Sequence, residues 1–206
     1  GMAEVHDGWD TRLDRPVAIK LMYPVFSAQP DNRRRFEIEA RAAARLNHPH
    51  IVAVHDSGDH DGTPFIVMER LSERTMADLI ADGPLPQQQV RSILDDVLSA
   101  LTAAHAAGIL HRDIKPGNIL FSHSGVTKLA DFGIAKSAAT PQTMTGQIVG
   151  TMAYLSADRI AGRPATVADD LYAVGAVGYE ALSGHRPFPQ ENLVDLARAI
   201  VGDRPV

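Results

Sequence analysis

The stretch HRDIKPGNIL, residues 111–120, sets a carboxylate (Asp113), two cations (Arg112 and Lys115) and an amide (Asn118) between an apolar helix-like segment and an apolar strand-like one. Asp131 follows in Ala130-Asp131-Phe132-Gly133, after a second short apolar run. Two neighbouring strands would bring Asn118 and Asp131 together from adjacent loops. An amide oxygen and a carboxylate make a hard-oxygen site suited to Mg²⁺ shared with phosphates, because that ion keeps substrate oxygens and water in its shell. Asp113 is then left to act as a base, and Lys115 to neutralise charge on a moving phosphoryl group. Positioning and electrostatics govern that reaction. The set suits phosphoryl transfer.

Working outward, the chain before this stretch alternates short apolar runs with polar turns. Val17 to Met22, Ile51 to His55 and Pro64 to Leu71 read as strands, with Asp56 to Gly62 turning between the last two. One helix interrupts them, capped by Asp31, carrying Phe36, Glu39, Ala40 and Ala43, and stopped by Asn47-His48-Pro49. After Leu71 the period changes. Val90, Ile93, Leu94, Val97, Leu98, Leu101 and His105 follow helical spacing, with Gly108 just past the end. Thr166 with Asp169 forms a capping box ahead of Leu171 to Leu182, which is apolar almost all round and is expected to be a buried helix. Between these helices the Ser/Thr/Ala-rich run from 136 to 151 has no periodicity and reads as a long functional loop. The expected class is α+β and bilobal, with a small antiparallel sheet lobe over residues 1–71 and a mainly helical lobe over 72–206.

Composition narrows the functions. A net charge of -5 leaves no general field for nucleic acid or anionic lipid, and Arg33 to Arg35 reads as a solvated helix start. The chain has no cysteine, so it forms neither a disulfide nor a thiolate metal site; this suits the cytoplasm, where the segment is expected. Leu171 to Leu182 is too short to span a bilayer and nothing resembles a signal peptide, so no membrane contact by this segment is expected. His55, Asp56, Asp59, His60 and Asp61 fall in a hairpin turn without metal-binding spacing and read as solvated. His48 and His50 flank Pro49 and serve its turn.

Taken together, the motifs resemble the eukaryotic-type (Hanks-type) Ser/Thr protein kinases, and within them the bacterial receptor-type kinases. His111 to Asn118 matches the catalytic loop, and Asp131-Phe132-Gly133 the metal loop, in the family's order and spacing. Val17-Ala18-Ile19-Lys20 matches the strand whose lysine holds the ATP phosphates, and Glu39 falls where the family places that lysine's partner. GMAEVH, LNHPHIV and IVMERL are similar to segments of the bacterial members. VAIK or DFG alone would be an ordinary strand or turn; the joint set is specific. The resemblance runs from residue 1 to about residue 200. It implies the bilobal kinase fold and transfer of the γ-phosphate of ATP to Ser or Thr of proteins, with Mg²⁺ (or Mn²⁺) held by Asn118 and Asp131. Asp113 would act on the acceptor hydroxyl, with Lys115, Lys20 and Glu39 completing the catalytic set. Val5, Ala18, Met68 and the hinge from Glu69 to Leu71 would contact the adenine.

The resemblance also implies a switch. Arg112 would pair with a phosphate on the activation loop, with Thr143 and Thr145 as acceptors, while Thr151 would favour Ser/Thr substrates. Asp170 sits where the family's buried helix holds the catalytic-loop backbone. Three departures stand out. The family's first strand and glycine turn would precede Gly1, and further helices would follow residue 200, so both ends read as truncated. Ser156-Ala157-Asp158 stands where relatives carry Ser-Pro-Glu or Ala-Pro-Glu. Two other readings remain: a nucleotide-binding pseudokinase or scaffold, and a small-molecule phosphotransferase. A homodimer through the front lobe, and an anchor elsewhere in a full-length protein, are family expectations.

Overall fold

The computed structural model of the chain describes residues 3–132, 150–202 and 205. Strands β1 (Ala3–Asp10) and β2 (Arg15–Met22) form a hairpin whose turn is closed by Asp10 Oδ1, which accepts from the backbone N–H of Arg12 and Leu13, each at 3.1 Å. A short helix α1 (Pro24–Ser27) and the longer α2 (Pro30–Ala43) follow, then β3 (Val54–His60) and β4 (Thr63–Glu69). The four strands make an antiparallel sheet in the order β1-β2-β4-β3. Met22, Phe36, Ala40 and Ile66 fill a small core between α2 and the sheet.

Three expectations change here. Asp56 to His60 belongs to β3 and not to the turn, which is only Asp61 (φ 50°) and Gly62 (φ 81°). Both residues are left-handed, the two-residue geometry whose twist matches its flanking strands. The alternation was hidden because β3 is an edge strand with exposed side chains from Asp56 to His60. The second change is at the start of α2. Gln29 is its N-cap, Pro30 takes the first position, and Asp31 lies inside the first turn, where its charge suits the helix dipole without capping. Arg33, far from being merely solvated, clasps the β3–β4 turn through Asp59 Oδ2 (2.6 Å) and the Gly62 carbonyl (2.7 Å).

The helical part is built on α3 (Met76–Ala81), α4 (Gln87–Ala106), α5 (Ala157–Ile160), α6 (Val167–Ser183) and α7 (Leu193–Gly202). A 3₁₀ turn, Pro116–Asn118, leads into the short strands β5 (Ile119–Phe121) and β6 (Thr127–Leu129). Val90, Ile93, Val97, Leu101 and Ala104 bury the expected face of α4, and the Thr166–Asp169 capping box opens α6. That helix is not buried all round. Its small residues Ala173, Ala176, Gly178 and Ala181 face inward, while Leu171 and Leu182 stay about half exposed. Close approach explains the choice, since a Cβ on Gly178 would lie 2.8 Å from a Leu94 methyl of α4. Backbone bonds from Val52 N to Leu129 O (3.0 Å) and from Leu129 N to His50 O (2.9 Å) stitch the sheet part to the strand that runs on to Asp131. His50 also reaches the Thr127 carbonyl at 3.0 Å, so these histidines brace the junction as well as their turn. Among the described residues no helix is long and apolar enough to cross a membrane.

Candidate active site

The catalytic-loop stretch is held from below by one buried carboxylate. Asp170, in the first turn of α6, accepts the backbone N–H of His111 (Oδ2, 2.9 Å) and of Arg112 (Oδ1, 2.9 Å), and its Oδ2 lies 2.8 Å from His105 Nε2 of α4. These bonds pin Arg112 in the left-handed region, φ 66°, which costs a side-chain-bearing residue roughly 1–2 kcal/mol. Fully buried His111 then bridges the two functional loops. Its Nε2 is 2.9 Å from the Ala130 carbonyl and its Nδ1 3.2 Å from the Asp113 N–H, so Nε2 carries the proton and Nδ1 accepts. Burial pushes the His111 pKa below its ordinary value, consistent with this neutral form. Its ring packs on Phe132, with centroids 4.6 Å apart.

On this platform the polar side chains meet. Asn118 Nδ2 donates to the Asp113 carbonyl (2.7 Å) and to Asp113 Oδ2 (3.1 Å), and Lys115 Nζ lies 3.1 Å from the same Oδ2. With its NH₂ so engaged, Asn118 has its amide oxygen to offer a cation. Asp131 is also left-handed, φ 56°, which turns its carboxylate toward Lys20.

Lys20 bridges two carboxylates, Glu39 Oε1 at 2.9 Å and Asp131 Oδ1 at 2.7 Å. Register puts it there: Lys20 pairs with Val5 and Ile66, and α2 crosses the sheet so that Glu39 faces it. Burial alone would lower the Lys20 pKa, but Asp131 and Glu39 outweigh it and hold the amine above its ordinary value. Conversely, the cost of removal from water would raise Asp131, and Lys20 outweighs that to hold it below the usual carboxylate range. The Lys20–Glu39 pair matches the sequence expectation. The Lys20–Asp131 pair does not appear in the sequence reading, because a separation of 111 residues carries no periodic signal.

A cleft of about 760 Å³ opens over these groups, with Lys20, Glu39, Asp113, Lys115, Asn118 and Asp131 all on its wall, and Thr151 beside them. Met68 faces a smaller cavity behind Lys20 and Glu39. Ala18 is buried opposite Met68 in the register, and Val5 stands 60% exposed on β1. Glu69 turns its side chain inward, where Oε1 accepts the Ala53 N–H and Lys128 Nζ, each at 2.8 Å; this ties the end of β4 and leaves Arg70 and Leu71 to continue the crossing. Asp158, in α5, pairs with Arg163 at 3.0 Å. Thr143 and Thr145 lie outside the described residues. Sequence reading placed His105 only in the α4 stripe, without its contact to Asp170, and did not single out Tyr154. A histidine on the apolar stripe of α4 is the available signal for the first, since a buried imidazole needs a partner. The contact of Tyr154 with Glu180 leaves no such trace.

Comparison with known proteins follows the same lines. A family model described as Protein kinase domain matches residues 1–203. The serine/threonine-protein kinase PknL of Mycobacterium tuberculosis is 45% identical over 199 residues, 96% of this chain and 50% of the relative. PknA of the same organism is 40% identical over 212 residues, 100% of this chain and 49% of the relative. PknB of Mycobacterium leprae is 41% identical over 213 residues, again 100% of this chain but 34% of the relative. The chain thus spans about half the length of PknL and PknA and less of PknB. Among solved structures, the Mycobacterium tuberculosis PknI kinase domain superposes with a TM-score of 0.73 at 31% identity, covering 97% of this chain and 80% of that one.

Proposed function

Since this chain belongs to the protein kinase family, as a catalytic domain of the serine/threonine class, we propose that it transfers the γ-phosphate of ATP to serine or threonine hydroxyls of proteins with its own Asp113, Lys115, Asn118, Asp131, Lys20 and Glu39. The observation that carries this reading is the convergence of six side chains, from β2, α2, the catalytic loop and the segment after β6, on one cleft. Asp113 orients the acceptor hydroxyl and takes its proton as the oxygen attacks the γ-phosphorus and the bond to the β-phosphate oxygen breaks. Lys115, already beside Asp113, offsets charge on the moving phosphoryl group. Lys20, held by Glu39, binds the α and β phosphates. The donor set fits Mg²⁺: Asn118 has its amide oxygen available and Asp131 is kept ionised by Lys20, so these two residues would hold the ion. When bound, it supplies neutralisation of the phosphate charge.

Around this centre, Val5, Ala18, Met68 and the backbone from Glu69 to Leu71 cover the adenine, and the lobes divide between residues 71 and 72. Arg112 receives a phosphate placed on Thr143 or Thr145 by the kinase itself, and Thr151 favours hydroxyl substrates of the Ser/Thr type. The segment works in the cytoplasm, with dimerisation through the sheet lobe as a further element, tested by sedimentation. A scaffold would be free to lose Lys20, Asp113, Asn118 and Asp131; their joint presence supports catalysis. Intact and peptide mass spectrometry after incubation with Mg²⁺ and ATP tests the reading, with Asp113→Asn and Asp131→Asn as controls. Phosphate on the chain or on a generic protein substrate, absent from both controls, is the expected result. A folded chain that transfers none sinks it.

A further inference from the structure

Two neighbouring carboxylates lie in the first turn of α6, and they hold different segments. Asp170 supports the catalytic loop, as described above. Asp169, about 100° round the helix, divides its oxygens. Its Oδ2 accepts the Thr166 N–H (2.6 Å) and the Thr166 hydroxyl (2.8 Å), which satisfies the capping box of α6. Its Oδ1 is then spare, and it accepts the hydroxyl of Ser156, 13 residues upstream. Ser156 Oγ in turn accepts the Arg159 N–H at 3.2 Å and so caps α5. Burial would raise the Asp169 pKa, but the bonds from Ser156 and Thr166 outweigh it and hold the carboxylate below its ordinary range.

Ser156 ends a segment that the cleft uses as a wall. Thr151 and Tyr154 line the cleft together with Asp113 and Lys115. Turn bonds from Tyr154 N to Thr151 O (3.3 Å) and from Leu155 N to Met152 O (3.0 Å) make residues 151–155 one unit. Ala153 and Tyr154 are buried in the core beneath it. Apolar packing sets how deep such a unit sits but has no direction, whereas a hydrogen bond to a carboxylate fixes both distance and angle. The Ser156–Asp169 bond supplies that constraint at the end of the wall. Behind it, Arg112, Asp113, Ser156, Asp169 and Asp170 share one small cavity of about 20 Å³, room for about one water. The wall and the catalytic loop therefore rest side by side on the same turn of α6.

Building on the protein kinase reading above, we infer that Asp169 is a positioning residue for the protein substrate: through Ser156 it sets the 151–156 wall against the loop that Asp170 holds, and so places the acceptor hydroxyl over Asp113. Asp169 touches neither ATP nor the acceptor. Its effect falls on how the acceptor lies, and the nucleotide is held independently by Lys20 and Glu39.

The test compares variants of the full chain on two acceptors, a peptide of residues 140–151 and a generic protein substrate. Ser156→Asp keeps an N-cap acceptor for α5 but sets a second carboxylate against Asp169, and Ser156→Thr keeps the donor. Thr166→Val removes a hydroxyl from the α6 cap and leaves Ser156 on Asp169. Kinetics with Mg²⁺ are measured at varied acceptor and at varied ATP, and hydrogen exchange is followed at the Tyr154 and Leu155 amides. The expected result for Ser156→Asp is a fall of about tenfold in kcat/KM for the acceptor, with KM for ATP changed less than twofold, and faster exchange at both amides. Asp169→Ala, alone or with Ser156→Ala, shows the same fall, because the two residues act through one bond. Ser156→Thr stays within about twofold of the unaltered chain, and so does Thr166→Val, even though it unfolds at lower urea. An unchanged acceptor kcat/KM in Ser156→Asp, an equal rise in KM for ATP, or the same kinetic loss in Thr166→Val overturns the inference. If the folded, unaltered chain phosphorylates neither acceptor, the kinase reading fails and takes the positioning role with it, while the exchange series still decides whether Asp169 holds the wall.

Discussion

Replacing Asp170 by Asn removes one charge and one acceptor from the point on which the catalytic loop rests. In the native chain its two oxygens serve three donors: the N–H of Arg112 on Oδ1, and the N–H of His111 with His105 Nε2 on Oδ2. An asparagine keeps one oxygen and presents NH₂ at the other position, so one backbone N–H faces a donor. His105 can turn to accept from the new amide, but His111 N–H cannot, and the side chain is almost wholly buried, at 2% exposure. A buried donor left without an acceptor costs about 1–3 kcal/mol, and weakening the remaining charge-assisted bond adds to it, so we expect a loss of about 3 kcal/mol. For a chain of this size that is a fall in Tm of roughly 6–12 °C. Thermal and urea unfolding measure the loss, and amide hydrogen exchange locates it: protection at His111 and Arg112 should collapse before that of α4. A loss below about 1 kcal/mol with unchanged exchange at those two amides would refute the claim that Asp170 holds the loop.

Three other perturbations probe separate parts of the molecule. Lys20→Met removes the cation that holds the Asp131 pKa down, so phosphoryl transfer should fall by roughly a hundredfold or more in a kinase assay. The sign of the accompanying pH effect is set: a carboxylate with a depressed folded pKa stabilises above its unfolded value of 3.8 and loses that contribution as pH falls through the folded one. The variant should lack this part of the acid dependence, read by circular dichroism below pH 4 as a flatter loss of stability that starts from a lower baseline. Gly62→Ala places a Cβ at φ 81° in the β3–β4 turn and should cost about 1 kcal/mol by urea titration, with little effect elsewhere. Leu101→Ala opens a cavity at a position 1% exposed in α4 and should cost about 3 kcal/mol; a loss under 1 kcal/mol would mean the helix repacks.

Most of the side chains that meet in the cleft were legible from the chain because they are crowded into short motifs. Asp113, Lys115 and Asn118 lie within one turn, and their contacts are local enough that spacing implies them. The α4 stripe and the α6 capping box were equally plain, since 3.6-residue periodicity and a three-residue cap are sequence-local. Long-range pairings were another matter. The extent of β3 was misread because an edge strand needs no apolar alternation. The all-round apolar run in α6 was misread as all-round burial, although only the face with Ala173, Val174, Ala176, Val177, Gly178 and Ala181 is buried and Leu171 and Leu182 stay about half exposed.

What the sequence alone determined is therefore the inventory and order of the chemical groups, the helix periods, and the short motifs that carry Asp113, Lys115, Asn118 and Asp131. The folded chain decided which distant charges meet. Lys20 is shared between Glu39 and Asp131, Asp170 stands under His111 and Arg112, and Glu180 is closed by Tyr154 and Arg186. Such pairings depend on strand register and helix packing summed over the whole core, and a charge buried by that packing takes whichever partner the geometry brings within reach.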